Sequence, residues 1–133
     1  MASTISVDTP SRTAMVEITD RVAASVPDGF EGACVVFCRH TTAGMTINEN
    51  ADPDVKRDLL SELDRLIPPD DARFRHAEGN SAAHMKASVC GPSVTVPVSD
   101  GRLVLGTWQG MYLCEFDGPR SRKVVVQFLA AGG

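Results

Sequence analysis

Long apolar runs are missing from this chain. None of its 133 residues falls in a stretch approaching the roughly 18–20 consecutive apolar residues that a membrane-spanning helix requires. The opening MASTISVDTPSRTAM has no basic segment leading into an apolar stretch. No secretory leader is therefore expected, and the cytosol is the expected compartment. An excess of one charge is missing as well. Lys and Arg number 13 against 17 Asp and Glu, a net charge of −4. That balance offers no general attraction to nucleic acid or to an anionic membrane, so neither is expected as a partner.

Several catalytic signatures are also lacking. There is no G-x-x-x-x-G-K-[ST] phosphate loop, no dinucleotide-binding glycine fingerprint, no H-E-x-x-H and no G-x-S-x-G. ATP hydrolysis, nicotinamide redox chemistry, zinc proteolysis and α/β-hydrolase chemistry are set aside on that ground. The 4 cysteines form no C-x-x-C pair, which removes a zinc ribbon and a thioredoxin-like motif. Cys34 and Cys38 fall on one predicted strand, where four residues span about 13 Å. A disulfide needs Cα atoms within about 7 Å, so the cysteines are read as free apolar thiols.

What is present is ordinary globular composition, with 43% hydrophobic and 23% charged residues. No repeat or linker divides the chain, and residues 1–133 are read as one domain. ISVDTP reads as a short strand stopped at Pro10. In TAMVEITDRVAASV, Met15, Ile18, Val22 and Val26 recur near helical spacing, which predicts a helix over 13–26. GACVVFCRHTT reads as a buried strand ending at His40, followed by a polar segment, TTAGMTINENAD.

Asp52-Pro53 is an N-cap with proline in the first turn, and Val55, Leu59, Leu63 and Leu66 form one apolar stripe. These features predict a helix over 53–66. Asn80 or Ser81 can cap a further helix over 81–90, with Gly91 just past its end. Four strand-like runs follow: SVTVPV, RLVLGTW, MYLCEF and KVVVQFL, with SDG and DGPRS as turns. An antiparallel meander is the natural pairing. The expected class is α+β: a sheet-rich, mostly antiparallel, β-sandwich-like domain with two to three helices.

Three histidines, His40, His76 and His84, each lie in polar, turn-rich sequence. Three imidazoles can complete a divalent metal site with one open position, zinc being the first candidate. Their spacing carries no local metal signature, and the plainer reading is ordinary hydrogen-bonding histidines. In HAEGNSAAH, Glu78-Gly79-Asn80-Ser81 leads into a helix start that can hold a phosphate, or serves as a plain cap. TINENADPD gathers Asn48, Glu49, Asn50, Asp52 and Asp54. Magnesium is one use for such oxygens, but capping already accounts for Asp52 and Asp54, leaving Glu49 without a structural task.

GTWQGMYLCEFDGP holds the only Trp and the only Tyr. Alternation puts Met111, Leu113 and Glu115 on one strand face, with Tyr112, Cys114 and Phe116 on the other. Glu115 among apolar neighbours is either paired, an acid or base, a metal ligand, or simply exposed. Arg120, Arg122 and Lys123 are read as a solvated turn, with Arg39, Arg73 and Arg75 elsewhere.

HTTAGMTINENADPDVKRDLL, FRHAEGNSAAHMKASVCGPS and GTWQGMYLCEFDGPR closely resemble the signature blocks of the YjbQ-like family. That resemblance implies a trimeric protein of sheet-rich α+β fold. It also implies an activity of the secondary thiamine-phosphate synthase kind, in which a pyrimidine diphosphate joins a thiazole phosphate and pyrophosphate leaves. On this resemblance His40, His76 and His84 are the metal candidates, and Glu115 and Glu49 the catalytic carboxylates. Asn48, Asn80, Thr107, Trp108 and Gln109 are the substrate-binding candidates, joined by Ser81 from the helix-start reading. The expected ligand is a phosphorylated small molecule. The competing expectation is a regulatory protein that binds a metal or metabolite without turnover.

Overall fold

The computed structural model describes residues 2–132. Eight strands and three helices follow one another in the order β1 (Ala2–Asp8), β2 (Ala14–Glu17), α1 (Thr19–Ala23), β3 (Gly32–Cys38), β4 (Ala43–Glu49), α2 (Pro53–Leu66), α3 (Ser81–Cys90), β5 (Ser93–Ser99), β6 (Arg102–Leu103), β7 (Gln109–Glu115) and β8 (Ser121–Ala130). They form two antiparallel sheets, one ordered β1-β8-β3-β5-β6 and the other β2-β7-β4. The sandwich expected from the sequence is therefore present, with α2 and α3 laid over the smaller sheet.

The alternation in β7 organises these layers. Met111 and Leu113 enter the core between the sheets, with Val36, Val96, Val124 and Val126. Tyr112, Cys114 and Phe116 face the other way, into a second cluster with Ala83, Ala87, Leu59 and Leu63 from the helices. Both faces of β7 are consequently buried. Each fully buried large side chain contributes about 1.5–3 kcal/mol relative to exposure.

Three expectations are corrected. The helix expected over 13–26 is instead a strand, β2, followed by the single short helix α1. Met15 points into the helix-covered cluster while Ile18 and Val22 point into the inter-sheet core, so the four apolar residues never shared a stripe. Pairing of Ala14–Glu17 with β7 decides the matter, and Val16 suits a strand. The segment read as polar connection contains β4, which pairs along its whole length with β7. The last strands do not form a meander. Only β5 and β6 pair as neighbours, whereas β7 and β8 lie in different sheets. Of RLVLGTW only Arg102–Leu103 is a strand.

The two longer helices match their expected limits. Asp52 Oδ1 accepts the Asp54 N–H at 2.9 Å, and Pro53 opens α2. Asp64 of α2 accepts hydrogen bonds from Arg12 at 3.0 Å and from the buried Lys86 of α3, which fixes the helices to each other. Burial alone would raise the Asp64 carboxyl, but the two cations outweigh it and hold it below its usual range. At the far end of α3, the Gly91 carbonyl accepts the Met45 N–H at 2.9 Å. Gly44 permits this approach, because a Cβ there would lie 2.6 Å from that same oxygen.

Candidate functional site

A cleft of about 410 Å3 opens where the end of β3, the start of α3 and the β7–β8 turn meet. Arg39, His40, Thr41 and Thr42 line it from the β3–β4 turn. His76, Glu78, Asn80 and His84 line it from the approach to α3 and its first turn. Asp117, Arg120 and Arg122 come from the β7–β8 side. The three histidines, 44 positions apart along the chain at their extremes, thus share one wall system.

His40 is held by a backbone group of β8. The Lys123 N–H donates to His40 Nε2 at 2.8 Å. A nitrogen that accepts such a bond carries no proton, so the neutral ring keeps its proton on Nδ1 and presents a donor there. Burial lowers the His40 pKa, and the nearby Arg122 lowers it further, which favours this neutral form. His76 and His84 meet edge to face with ring centroids 5.3 Å apart, and His76 Nε2 lies 4.0 Å from Glu78 Oε1.

Beneath the cleft is a buried ion pair. Arg122 is 2% exposed and Glu115 is completely buried. Arg122 donates through Nε to Glu115 Oε1 at 2.8 Å and through Nη2 to Oε2, and the same Nη2 donates to Thr42 Oγ1 at 2.9 Å. Glu115 also accepts from Thr9 Oγ1 at 2.7 Å and from the N–H groups of Phe116 and Asp117 at 3.1 and 3.0 Å. Burial pushes its carboxyl up, yet the Arg122, Thr9 and Asp117 hydrogen bonds prevail and hold it below the usual carboxylate range. With both oxygens occupied, this carboxylate orients Arg122 and does not face the cleft. Its place in the structure is that of a positioning group for the arginine.

The solvated-turn reading holds for the exposed Arg120 but is corrected for Arg122, which is buried on β8. Arg122, Val124 and Val126 alternate on the inward face of β8, and this period-two pattern was the available signal for Arg122. Arg120 donates to Asp117 Oδ2 at 2.8 Å, and Asn80 Nδ2 donates to the same oxygen at 2.8 Å. Asn80 Oδ1, shielded from water, has no hydrogen-bond partner among the described residues. Reversing the amide would set its oxygen against the Asp117 carboxylate, so the orientation is fixed. Asn80 is therefore engaged with Asp117 and makes no side-chain cap on α3. Arg39 has no carboxylate partner among the described residues.

The other expected site residues lie elsewhere. Ala43 pairs with Glu115 at the cleft end of β4 and β7, whereas Glu49 pairs with Gln109 at the opposite end. Six residue steps separate these ends, about 20 Å. Asn48, Glu49, Thr107, Trp108 and Gln109 gather at that far end, where Trp108 is 63% exposed. Gln109 Oε1 accepts the Gly106 N–H at 2.8 Å, Asn48 Oδ1 accepts the Glu49 N–H, and the Glu49 carbonyl accepts the Tyr112 hydroxyl. Ser81 opens α3 beside Asn80. Within one copy of the chain, then, the expected residues form two groups.

The fit to a metal can be judged from the donors. Among the described residues no three His, Cys, Asp or Glu side chains converge closely enough to hold an ion. His40 in particular has spent Nε2 on the Lys123 N–H. As arranged here, the residues do not make a closed metal site.

The profile of the UPF0047 protein YjbQ-like family matches residues 3–131. The chain belongs to this family. Its similarity to UPF0047 protein YugU of Bacillus subtilis is 50% identity over 131 residues, covering 97% of this chain and 99% of that protein. A UPF0047 protein of Methanocaldococcus jannaschii is 45% identical, covering 92% of this chain and 90% of the relative. The crystal structure of an uncharacterized conserved protein of the same family from Clostridium acetobutylicum superposes with a TM-score of 0.91 at 48% identity, covering 96% and 99% of the two chains. A conserved hypothetical protein of Thermus thermophilus gives a TM-score of 0.91 at 43% identity, covering 96% and 99%. In keeping with the composition, no helix among the described residues is long and apolar enough to span a membrane.

Proposed function

We propose that this UPF0047 protein binds a phosphorylated small molecule through its phosphoryl group in the histidine–arginine cleft. The observation that carries the reading is the pairing of Arg39, a cation without a carboxylate partner among the described residues, with His40 fixed as an Nδ1–H donor. Asp117 does not oppose an anion strongly, because its carboxylate is already engaged by Arg120 and Asn80. The start of α3, from which Asn80 and His84 line the cleft, adds the positive end of a helix of the kind that receives phosphate oxygens. Asn80 Oδ1 supplies an acceptor for a hydroxyl or a protonated phosphate oxygen on the ligand.

On this reading the protein is an enzyme in the cytosol that transfers a group from a phosphorylated substrate. A thiamine-phosphate synthase-like reaction, with a departing pyrophosphate stabilised by Arg39 and Arg120, is the form implied by the family resemblance. The alternative is binding without turnover. Titration of the purified chain with inorganic phosphate and Arg39→Ala tests the site. The variant is expected to bind at least about tenfold more weakly, the loss of one charge-assisted contact. Equal affinities would remove Arg39 from the reading. Formation of thiamine phosphate from the two phosphorylated precursors separates the enzyme from the binding protein.

A second reading, a divalent ion such as zinc, is favoured by the meeting of His76 and His84 beside His40. It requires His40 to give up the Lys123 N–H. Metal content by mass spectrometry tests it, with about one ion per chain expected, and none in folded His76→Ala/His84→Ala. The homotrimer implied by the resemblance belongs with these proposals. Sedimentation equilibrium gives the assembly directly.

A further inference from the structure

The basic cleft does not end at its histidines. A second depression of about 330 Å3 adjoins it and shares His40, Thr41 and His84 as a common wall. Beyond that wall the chemistry changes. The far side is formed by Ala87 and Ser88 of α3 and by Pro92, with no charged residue among its lining. One hollow thus carries guanidinium and imidazole donors, and the next is built of small and apolar groups, with two imidazole rings between them.

We propose that this second depression is a subsite for the organic part of the ligand, so that the protein selects phosphomonoesters carrying a compact, flat apolar group over inorganic phosphate. The inference rests on the phosphate reading above and goes beyond it by assigning the residues that recognise the rest of the molecule. A phosphoryl group held by Arg39 and His40 leaves its ester oxygen free to point past the imidazoles. The attached group then lies along α3 over Ala87 and Ser88. Imidazole rings offer faces for stacking, and the Ala87 and Pro92 surfaces offer apolar contact without hydrogen-bond demands. Small residues here leave the space open: Ser88 is exposed, and among the described residues its side chain has no hydrogen-bond partner that filling the hollow would break.

The test compares inorganic phosphate with phenyl phosphate by isothermal titration of the full chain. Phenyl phosphate is expected to bind about tenfold more tightly, equivalent to about 1.4 kcal/mol. Ser88→Trp fills the depression and is expected to abolish that preference while leaving inorganic phosphate affinity unchanged. Amide NMR shifts provide a second readout in the unaltered protein. Phenyl phosphate should move the Ala87 and Ser88 resonances, whereas inorganic phosphate should move only those around Arg39, His40 and the start of α3. Equal affinities for the two anions, a preference that survives Ser88→Trp, or silent Ala87 and Ser88 resonances would overturn the subsite and leave the phosphate reading standing. Absence of phosphate binding altogether overturns both.

Discussion

Replacing Glu115 by Gln removes one charge from a completely buried pair and leaves the shape almost unchanged. The Arg122 guanidinium then remains 2% exposed with no counter-charge, retaining only Thr42 and a neutral amide as partners. Breaking a buried pair from one side costs about 3–5 kcal/mol, because the surviving ion cannot recover its hydration. Against a typical total of about 5–15 kcal/mol, such a loss is large. Chemical denaturation followed by far-ultraviolet circular dichroism, at fixed protein concentration, is the suitable assay. Fluorescence is a poor choice, since Trp108 is mostly exposed in the native state.

The same pair fixes a pH dependence. Glu115 has a folded pKa below its ordinary 4.5, so the folded protein releases this proton more readily than the unfolded chain. Its contribution is fully present above the unfolded value and is lost as pH falls through the lower folded value. The stability gap between wild type and Glu115→Gln should therefore be constant near neutrality and close in acid. A gap below about 1 kcal/mol at neutral pH would refute the argument, since that is the range of an exposed pair. A gap that widened in acid would refute the sign of the linkage.

Three further outcomes follow from the geometry. Gly44→Ala brings a methyl group to 2.6 Å from the Gly91 carbonyl, and overpacking against rigid backbone should cost about 1–3 kcal/mol in the same unfolding assay. Asp52→Ala removes the oxygen that caps α2 and should cost about 0.5–2 kcal/mol, with Asp52→Asn recovering most of it. Trp108→Ala lies about 20 Å from the cleft within one copy of the chain and should leave its inorganic phosphate affinity unchanged in a titration.

Periodicity and punctuation identified the features that depend on neighbouring residues. The caps and stripe of α2, the limits of α3 and the two faces of β7 all depend on interactions within a few positions of each residue. The cysteines are likewise free. Where an apolar pattern suited two structures, as in residues 14–23, pairing with a distant strand made the choice. β4 escaped notice because its polar residues pair with β7 across sixty or more positions of sequence.

For the site, the sequence by itself picked out the residue types: three histidines, a helix start, and a Glu placed among apolar neighbours. Only the tertiary structure brought His40, His76 and His84 to one cleft and separated them from Glu49 and Trp108. It alone gave Glu115 to Arg122, because a buried carboxylate must find a cation and no local pattern says which one. It also fixed His40 as a donor, through a backbone N–H 83 positions away. Local chemistry determines what each segment offers. The closing of distant strands determines which offers meet, since an interaction between residues far apart in sequence exists only after the chain has folded around it.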